Sequence, residues 1–318
     1  MSLIDSSNVY LYANVDADGQ SNITPELWAE NIYMRARKAA VMTPLMSVGA
    51  VRQDNTILGR SGYKFTLPKM DHLSASDLTE GTPTPVSSLT FDGVEVTVRE
   101  RGIATQMSTH SNDVSVSSFE STVIENMGAA VAEKLNADLV AELGATTTDA
   151  VYPVVSGARR TSATIEAGDT FTLEQINEAD TVMQTTLNQR GLAVLIHPRQ
   201  EKVLRDDSQF IDASQYGDAS VLRQTGEIGR LYGKTVIVSN HVDSALEGAF
   251  TSPATEGEVP VYKGFLLGAN ACIFAPKRAL TFEADRGDVR DRAVTLHTWH
   301  TYGFQNFEEA AIVPLKSA

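Results

Sequence analysis

The chain has 318 residues, 42% of them apolar, and its 26 Lys+Arg against 40 Asp+Glu give a formal net charge of −14. That length allows one large domain or two closely joined ones. The apolar content excludes a disordered chain, and the acidic balance excludes the basic footprint of a free nucleic-acid binder.

Residues 1 to about 22 are polar and rich in Ser, Asn and Asp, with isolated aromatics such as Tyr10 and Tyr12, and read as an extended arm. A secretory signal would need a basic start and an apolar core, and "MSLIDSSNVYLYANVDADG" has neither. "ITPELWAENIYMRARKAAVM" then predicts a helix. Thr24 can cap it, Pro25 suits its first position, and Glu26 complements its dipole. From Val48 to Thr109 the apolar period becomes two. "GYKFTLPKM" alternates Tyr63, Phe65 and Leu67 against Lys64 and Thr66, and "FDGVEVTVRERGIATQMS" alternates Val94, Val96 and Val98 against Glu95, Thr97 and Arg99. The polar stretch between them, broken by Pro83 and Pro85, makes the pair an extended hairpin. A hairpin of that length has little core of its own and needs something to pack on, such as a second copy.

"SVSSFESTVIENMGAAVAEKLNADLVAELG" is the strongest helical pattern. It opens with a Ser117-x-x-Glu120 capping box, stops at Gly144, and repeats Phe119, Val123, Met127, Val131, Leu135, Leu139 and Leu143 every four residues. About 26 residues at 1.5 Å each span about 39 Å, longer than the usual three or four turns. A Thr-rich linker, "TTTDAVYPVVSG", leads to an α/β section. That section holds a helix with a Thr172-x-x-Gln175 capping box, an apolar strand in "LAVLIH", a short helix from Pro198, a strand in "KTVIVSN", and one or two more in "YKGFLLGANACIFAP". Strand-like alternation returns in Ala293, Thr295, His297 and Trp299 and in "AAIVPL". No internal repeat and no run of about 18 apolar residues occurs.

Candidate chemistry is sparse. "GEIGRLYGKTVIVSN" comes close to a phosphate-binding loop, but only Arg230, Leu231 and Tyr232 separate Gly229 from Gly233, one residue short, and "GKT" runs into a β-branched strand where a helix is required. A glycine turn feeding a strand is the reading taken. His297 and His300 in "HTWH" fall on opposite faces of a strand and do not suit one metal ion. His197 reads as a capped strand end, and Cys272, the single cysteine, as a buried inert thiol. No nucleophile elbow and no zinc motif is present, and Asp206–Asp207 and Glu308–Glu309 read as solvated. No catalytic, cofactor-binding or metal-binding residue is nominated, no cofactor is expected, and the chain is not read as an enzyme. Arm, hairpin and over-long helix all reach beyond a compact globule, which is the pattern of a protein whose work is assembly.

The chain resembles a known family at "ELWAENIY", "GYKFTLPKM…LTEGTP", "VTVRERGIATQMS" and "FESTVIENMGAAVAEKLNADLV". The most specific piece is "LIHPRQEKVLRDDSQFIDASQYGDASVLRQTGEIGRLYGKTVIVSN", from Leu195 to Asn240. In order and spacing these are similar to the tailed-phage major capsid proteins of the Hong Kong 97 type, within the family of the phage N-four coat protein. The resemblance implies an α+β fold with an N-terminal arm (1–23), a helix opening the peripheral domain (24–52), an extended hairpin loop (53–106), the peripheral domain with its spine helix (107–143), an axial domain (144–276) and returning peripheral strands (277–318). It also implies hexamers and pentamers closing into an icosahedral shell around double-stranded DNA that is contacted weakly, inside a virion assembled in the host bacterial cytoplasm. A separate scaffolding protein, a portal and a decoration protein would be partners, and no membrane is involved. The type member cross-links through a lysine in this loop; Lys64 and Lys69 lie in the corresponding hairpin and read here as solvated or salt-bridged. Two alternatives stay open: an encapsulin-like compartment with a cargo pocket, and an acidic carbohydrate-active hydrolase, which would show two converging carboxylates in the 144–276 lobe.

Overall fold

The computed structural model describes residues 40–70, 91–108, 119–206, 229–247, 259–285 and 293–318, apart from 156, 163, 167 and 243, with isolated positions in 71–90. The arm, the helix expected from Thr24, the Ser117 capping box and the "GEI" of "GEIG" lie outside the described residues. The first described helix, α1, is Met42–Val48. This corrects the sequence reading, which ends the first helix at Met42 and gives strand character from Val48. The missing signal is a cap from far along the chain: the backbone N–H groups of Val41 and Met42 both donate to Asn136 Oδ1, each at 2.9 Å. Pro44 is tolerated because it falls in the first turn, and Gly49 closes the helix at a φ of 84°.

Strand β1 (Val51–Gln53) follows, then β2 (Lys64–Met70), β3 (Phe91–Thr97) and β4 (Arg99–Ser108). The alternation read through Thr109 as one strand is two. β3 pairs with β2, whereas β4 joins a different sheet, and the exchange happens over the single residue Val98. Helix α2 (Phe119–Gly144) has 26 residues, the expected length. The supposed linker is partly structured: Val151 and Tyr152 are buried, and β5 (Val154–Val155) pairs with β6 (Ala158–Arg159).

Helix α3 (Leu173–Leu187) carries the capping box as read, with Thr172 accepting from Gln175 N and Gln175 accepting from Thr172 N. Strand β7 (Ala193–Ile196), helix α4 (Pro198–Asp206) and strands β8 (Arg230–Leu231), β9 (Lys234–Val238), β10 (Ser244–Glu247), β11 (Val259–Leu267), β12 (Cys272–Asp285) and β13 (Ala293–Asn306) come next. A 3-10 turn (Glu309–Ala311) precedes β14 (Ile312–Ser317). Beside the two-stranded β2-β3 and β5-β6 sheets, a four-stranded sheet has the order β1-β12-β13-β4 and a six-stranded sheet runs β10-β11-β7-β9-β8, with β14 also on β11.

The described residues divide into two compact units, those within 100–134 and 278–301 in one and those within 38–99, 135–277 and 302–318 in the other. In the first, Val123, Ile124 and Met127 of α2 pack with Val294 and Leu296 of β13. In the second, the six-stranded sheet separates two apolar cores. Ala193, Leu195, Ile237, Phe265 and Leu267 join Leu139 and Leu143 of α2 on one face. Val194, Ile196, Val236 and Leu266 join Ile176, Ala179 and Met183 of α3 on the other. Period-2 alternation therefore serves two buried faces, which is why β7 and β9 read as continuous apolar runs. Gln175, almost wholly buried, donates Nε2 to the carbonyls of Val151 and Lys316 and so ties α3 to β14.

Candidate assembly interface

The hairpin is built in register Lys64↔Thr97 through Met70↔Phe91. On its inner face Phe65, Leu67 and Val96 pack with Ile57, Val98 and Ala275, and Val94 stands opposite Leu67. Tyr63, read from the sequence as part of that face, is 65% exposed, because it lies one residue before β2. The root is held firmly. Val98 N–H donates to Tyr63 O at 2.9 Å, Lys277 Nζ donates to Gly62 O, and a Cβ at Gly303 would stand 2.4 Å from Thr97 O, so only glycine fits there. Toward the free end, apolar side chains lose their cover. The directly opposed pair Met70 and Phe91 is 56% and 67% exposed, Val86 in the connecting loop is 96% exposed, and Leu73 and Leu78 are exposed as well. Ladders ending in opposed, uncovered apolar side chains offer a contact surface.

The two hairpin lysines are both ion-paired within the chain. Lys64 bonds Glu95, diagonal to it across the strands, and this partner raises its pKa, first through the hydrogen bond and then through the charge. Lys69 Nζ is 2.7 Å from Glu308 and 5.9 Å from the Phe307 ring centroid.

The near-phosphate loop is a β-turn. Tyr232 (φ 49°) and Gly233 (φ 79°) are both left-handed and join β8 to β9 in a two-residue hairpin with Leu231 opposite Lys234. Lys234 turns inward. Its side chain is 5% exposed and its Nζ lies 3.2 Å from Asp180 Oδ2. Asp180 also accepts from Gly191 N and Gln184 Nε2, each at 2.8 Å. The lysine that a phosphate loop would spend on a ligand is a structural cation here.

His197 caps α4, its Nδ1 accepting from Arg199 N at 3.2 Å, and its ring stacks on Tyr262 at 4.5 Å. Burial, helped by the Arg199 charge, lowers its pKa. Gln200, unremarked in the sequence beyond its place in the "HPRQ" string, is a fastener. It accepts from His197 N and donates to Tyr262 O and Ser317 Oγ, joining α4, β11 and β14. Cys272 is fully buried and burial raises its thiol pKa far beyond the usual range. A cavity of about 450 Å³ in the 144–276 lobe and β14 has one carboxylate in its lining, Asp149, among four cations. Glycoside hydrolysis uses two facing carboxylates, so this cavity does not favour the hydrolase reading.

A family model described as "Phage capsid protein" matches residues 93–315, more than half of the chain. The chain belongs to this phage capsid protein family. Comparison with curated protein sequences gives no match. Solved structures share the fold. The capsid of cyanophage P-SCSP1u is 16% identical with a TM-score of 0.68, covering 96% of each chain. The acid-stable capsid of Helicobacter pylori bacteriophage KHP30 is 14% identical with a TM-score of 0.68, covering 96% of this chain and 99% of that one. The capsid of Ralstonia phage GP4 is 14% identical with a TM-score of 0.65, covering 100% and 98%. As a structural capsid protein the chain acts in association with copies of itself, in the shell of a virion. The α+β architecture is that of the Hong Kong 97-type capsid fold.

Proposed function

We propose that this capsid protein assembles as hexamers and pentamers into an icosahedral shell around double-stranded DNA. The observation that carries the reading is the uncovered apolar end of the β2–β3 hairpin, Met70 opposite Phe91 with Leu73, Leu78 and Val86 beyond them. In a shell this end rests on an adjacent subunit, and residues 1–23 act as an arm that wraps neighbours. In this reading 53–106 is the extended loop, 107–143 with the strands returning from 277 is the peripheral domain, and 144–276 is the axial domain, whose sheet also takes in β14. Individually modest contacts, repeated around each subunit, give stability by multivalency while allowing misplaced subunits to leave. The net charge of −14 suits a wall along which packaged duplex slides, because neutralising phosphates is what grips DNA. A scaffolding protein, a portal and a decoration protein are the partners such a shell would use, and assembly takes place in the host cytoplasm. No catalytic role is assigned to the chain.

Sedimentation velocity of the purified chain, with negative-stain microscopy of the fast fraction, tests this. Closed shells or rings of five and six are expected, and Met70→Ser with Phe91→Ser should reduce them without altering the fold. A chain that stays monomeric at every concentration, alone and together with a scaffolding protein, would overturn the reading.

A further inference from the structure

The cavity in the larger unit has a floor whose charge the assembly reading leaves unexplained. Helix α2 ends at Gly144, where an added Cβ would sit 4.0 Å from the Phe265 ring. Strands β11 and β14 run on past that point in antiparallel register, Phe265 opposite Pro314 and, two residues further on the same face, Lys263 opposite Lys316. Like charges directly opposite one another destabilise a strand pair. Here both lysines are half-buried and line one cavity of about 450 Å³. Lys316 Nζ stands 5.5 Å from the Tyr152 ring centroid, and Lys263 has no ion-pair partner among the described residues.

Arg159 and Arg160 from β6 and its exit line the wall with the hydroxyls of Thr161 and Ser162. Glu178 engages Arg159, and Glu166 and Asp169 engage Arg160 (Asp169 at 3.0 Å), but none of these three acids lines the cavity. The lining therefore holds four cations, two of them already ion-paired, with neighbouring hydroxyl donors and one carboxylate, Asp149, and stays net positive in a chain whose charge is strongly negative.

We propose that this cavity is an oxyanion-binding site, with Lys263 and Lys316 clamping a carboxylate or phosphate group and the Thr161 and Ser162 hydroxyls orienting it. An anion reached by both ammonium groups accepts two charge-assisted bonds. The source that the composition favours is an acidic side chain of a second copy, since every neighbouring chain brings 40 Asp+Glu against 26 Lys+Arg; this part rests on the assembly reading. A free phosphate-bearing anion is the other source of the same chemistry.

The test uses the full chain, as wild type and as Lys263→Met/Lys316→Met, with circular dichroism confirming that the fold is unchanged. The unfolding temperature is followed against sodium pyrophosphate and, separately, sodium citrate, at constant ionic strength. A saturable rise of a few degrees in the wild type, absent from the variant, is expected. A wild type that gains no more than the variant overturns the site. Lys263→Gln/Lys316→Gln serves as the comparison if the methionine variant is misfolded. Sedimentation then separates the sources. If pyrophosphate and Lys263→Glu/Lys316→Glu both reduce the fast fraction while Lys263→Arg/Lys316→Arg retains it, the ligand is a neighbouring copy's carboxylate. If the temperature shift is present and the fast fraction is unmoved, the ligand is a free anion. A wild type that shows the shift but forms no shells or rings, with or without a scaffolding protein, rejects the assembly reading and leaves the site standing.

Discussion

Replacing Lys234 with methionine tests the claim that the near-phosphate loop is structural. The change keeps the side-chain length and removes only the charge. Asp180, with a side chain 13% exposed, would keep its bonds from Gly191 N and Gln184 Nε2 but lose the Lys234 cation. Breaking a buried ion pair from one side costs about 3–5 kcal/mol, because the remaining charge stays desolvated. A unit of this size loses about 2–4 °C per kcal/mol, so the unfolding temperature should fall by roughly 10 °C in differential scanning calorimetry at pH 7. Adding Asp180→Asn to Lys234→Met should recover most of that loss, since no unpaired charge is left and Asn can still accept from Gly191 N. One molar salt should leave the wild-type contribution nearly intact, because a buried pair is little screened. A loss under about 1 kcal/mol, the level of an exposed pair, would refute the reasoning, as would a double variant as unstable as the sum of the singles.

Three further outcomes follow from the same geometry. Burial raises the Glu142 pKa above its ordinary value of 4.5, the Asn306 N–H bond opposing only in part, so ionised Glu142 weakens the fold above that pH; Glu142→Gln should raise the unfolding temperature at pH 7, with the gain closing as the pH falls to about 4. Burial lowers the pKa of His300 and, with Arg199, that of His197, so the stability held by the neutral rings is complete above about pH 6.5 and is lost as the pH falls below it; the unfolding temperature should drop between pH 7 and 5, and less so in His300→Asn. Gly303→Ala must push the Thr97 carbonyl aside, and hydrogen exchange at the hairpin root, Tyr63 and Val98 included, should accelerate several-fold.

What the sequence discloses here is what local chemistry determines. The two-residue period of β2 and β3, the capping box at Thr172 and Gln175, the length of α2 and the turn before Lys234 all lie within short windows and are readable there. The misses depend on partners far along the chain. Helix α1 is capped by Asn136, some 95 residues away. Val98 ends one sheet and opens another with no break in the apolar alternation, because both partners want the same period. "TTTDAVYPVVSG" looked like a spacer because its burial comes from β14, at the opposite end of the chain, whose Leu315 bridges Val151. The cavity was invisible for the same reason, since Lys263 and Lys316 meet only through the register of β11 with β14.

The six-stranded sheet is a party wall. Along β7, Val194 and Ile196 furnish one room while Ala193 and Leu195 furnish the other, and Val236 and Ile237 divide in the same way along β9. Close packing leaves no slack in such a wall, so a defect on one side displaces a backbone that the other side also leans on. Neither room can empty alone. A subunit built this way either holds its whole lobe or surrenders it at once, so in the shell proposed above the lobe would be a fixed tile and yielding would fall to the seams between tiles.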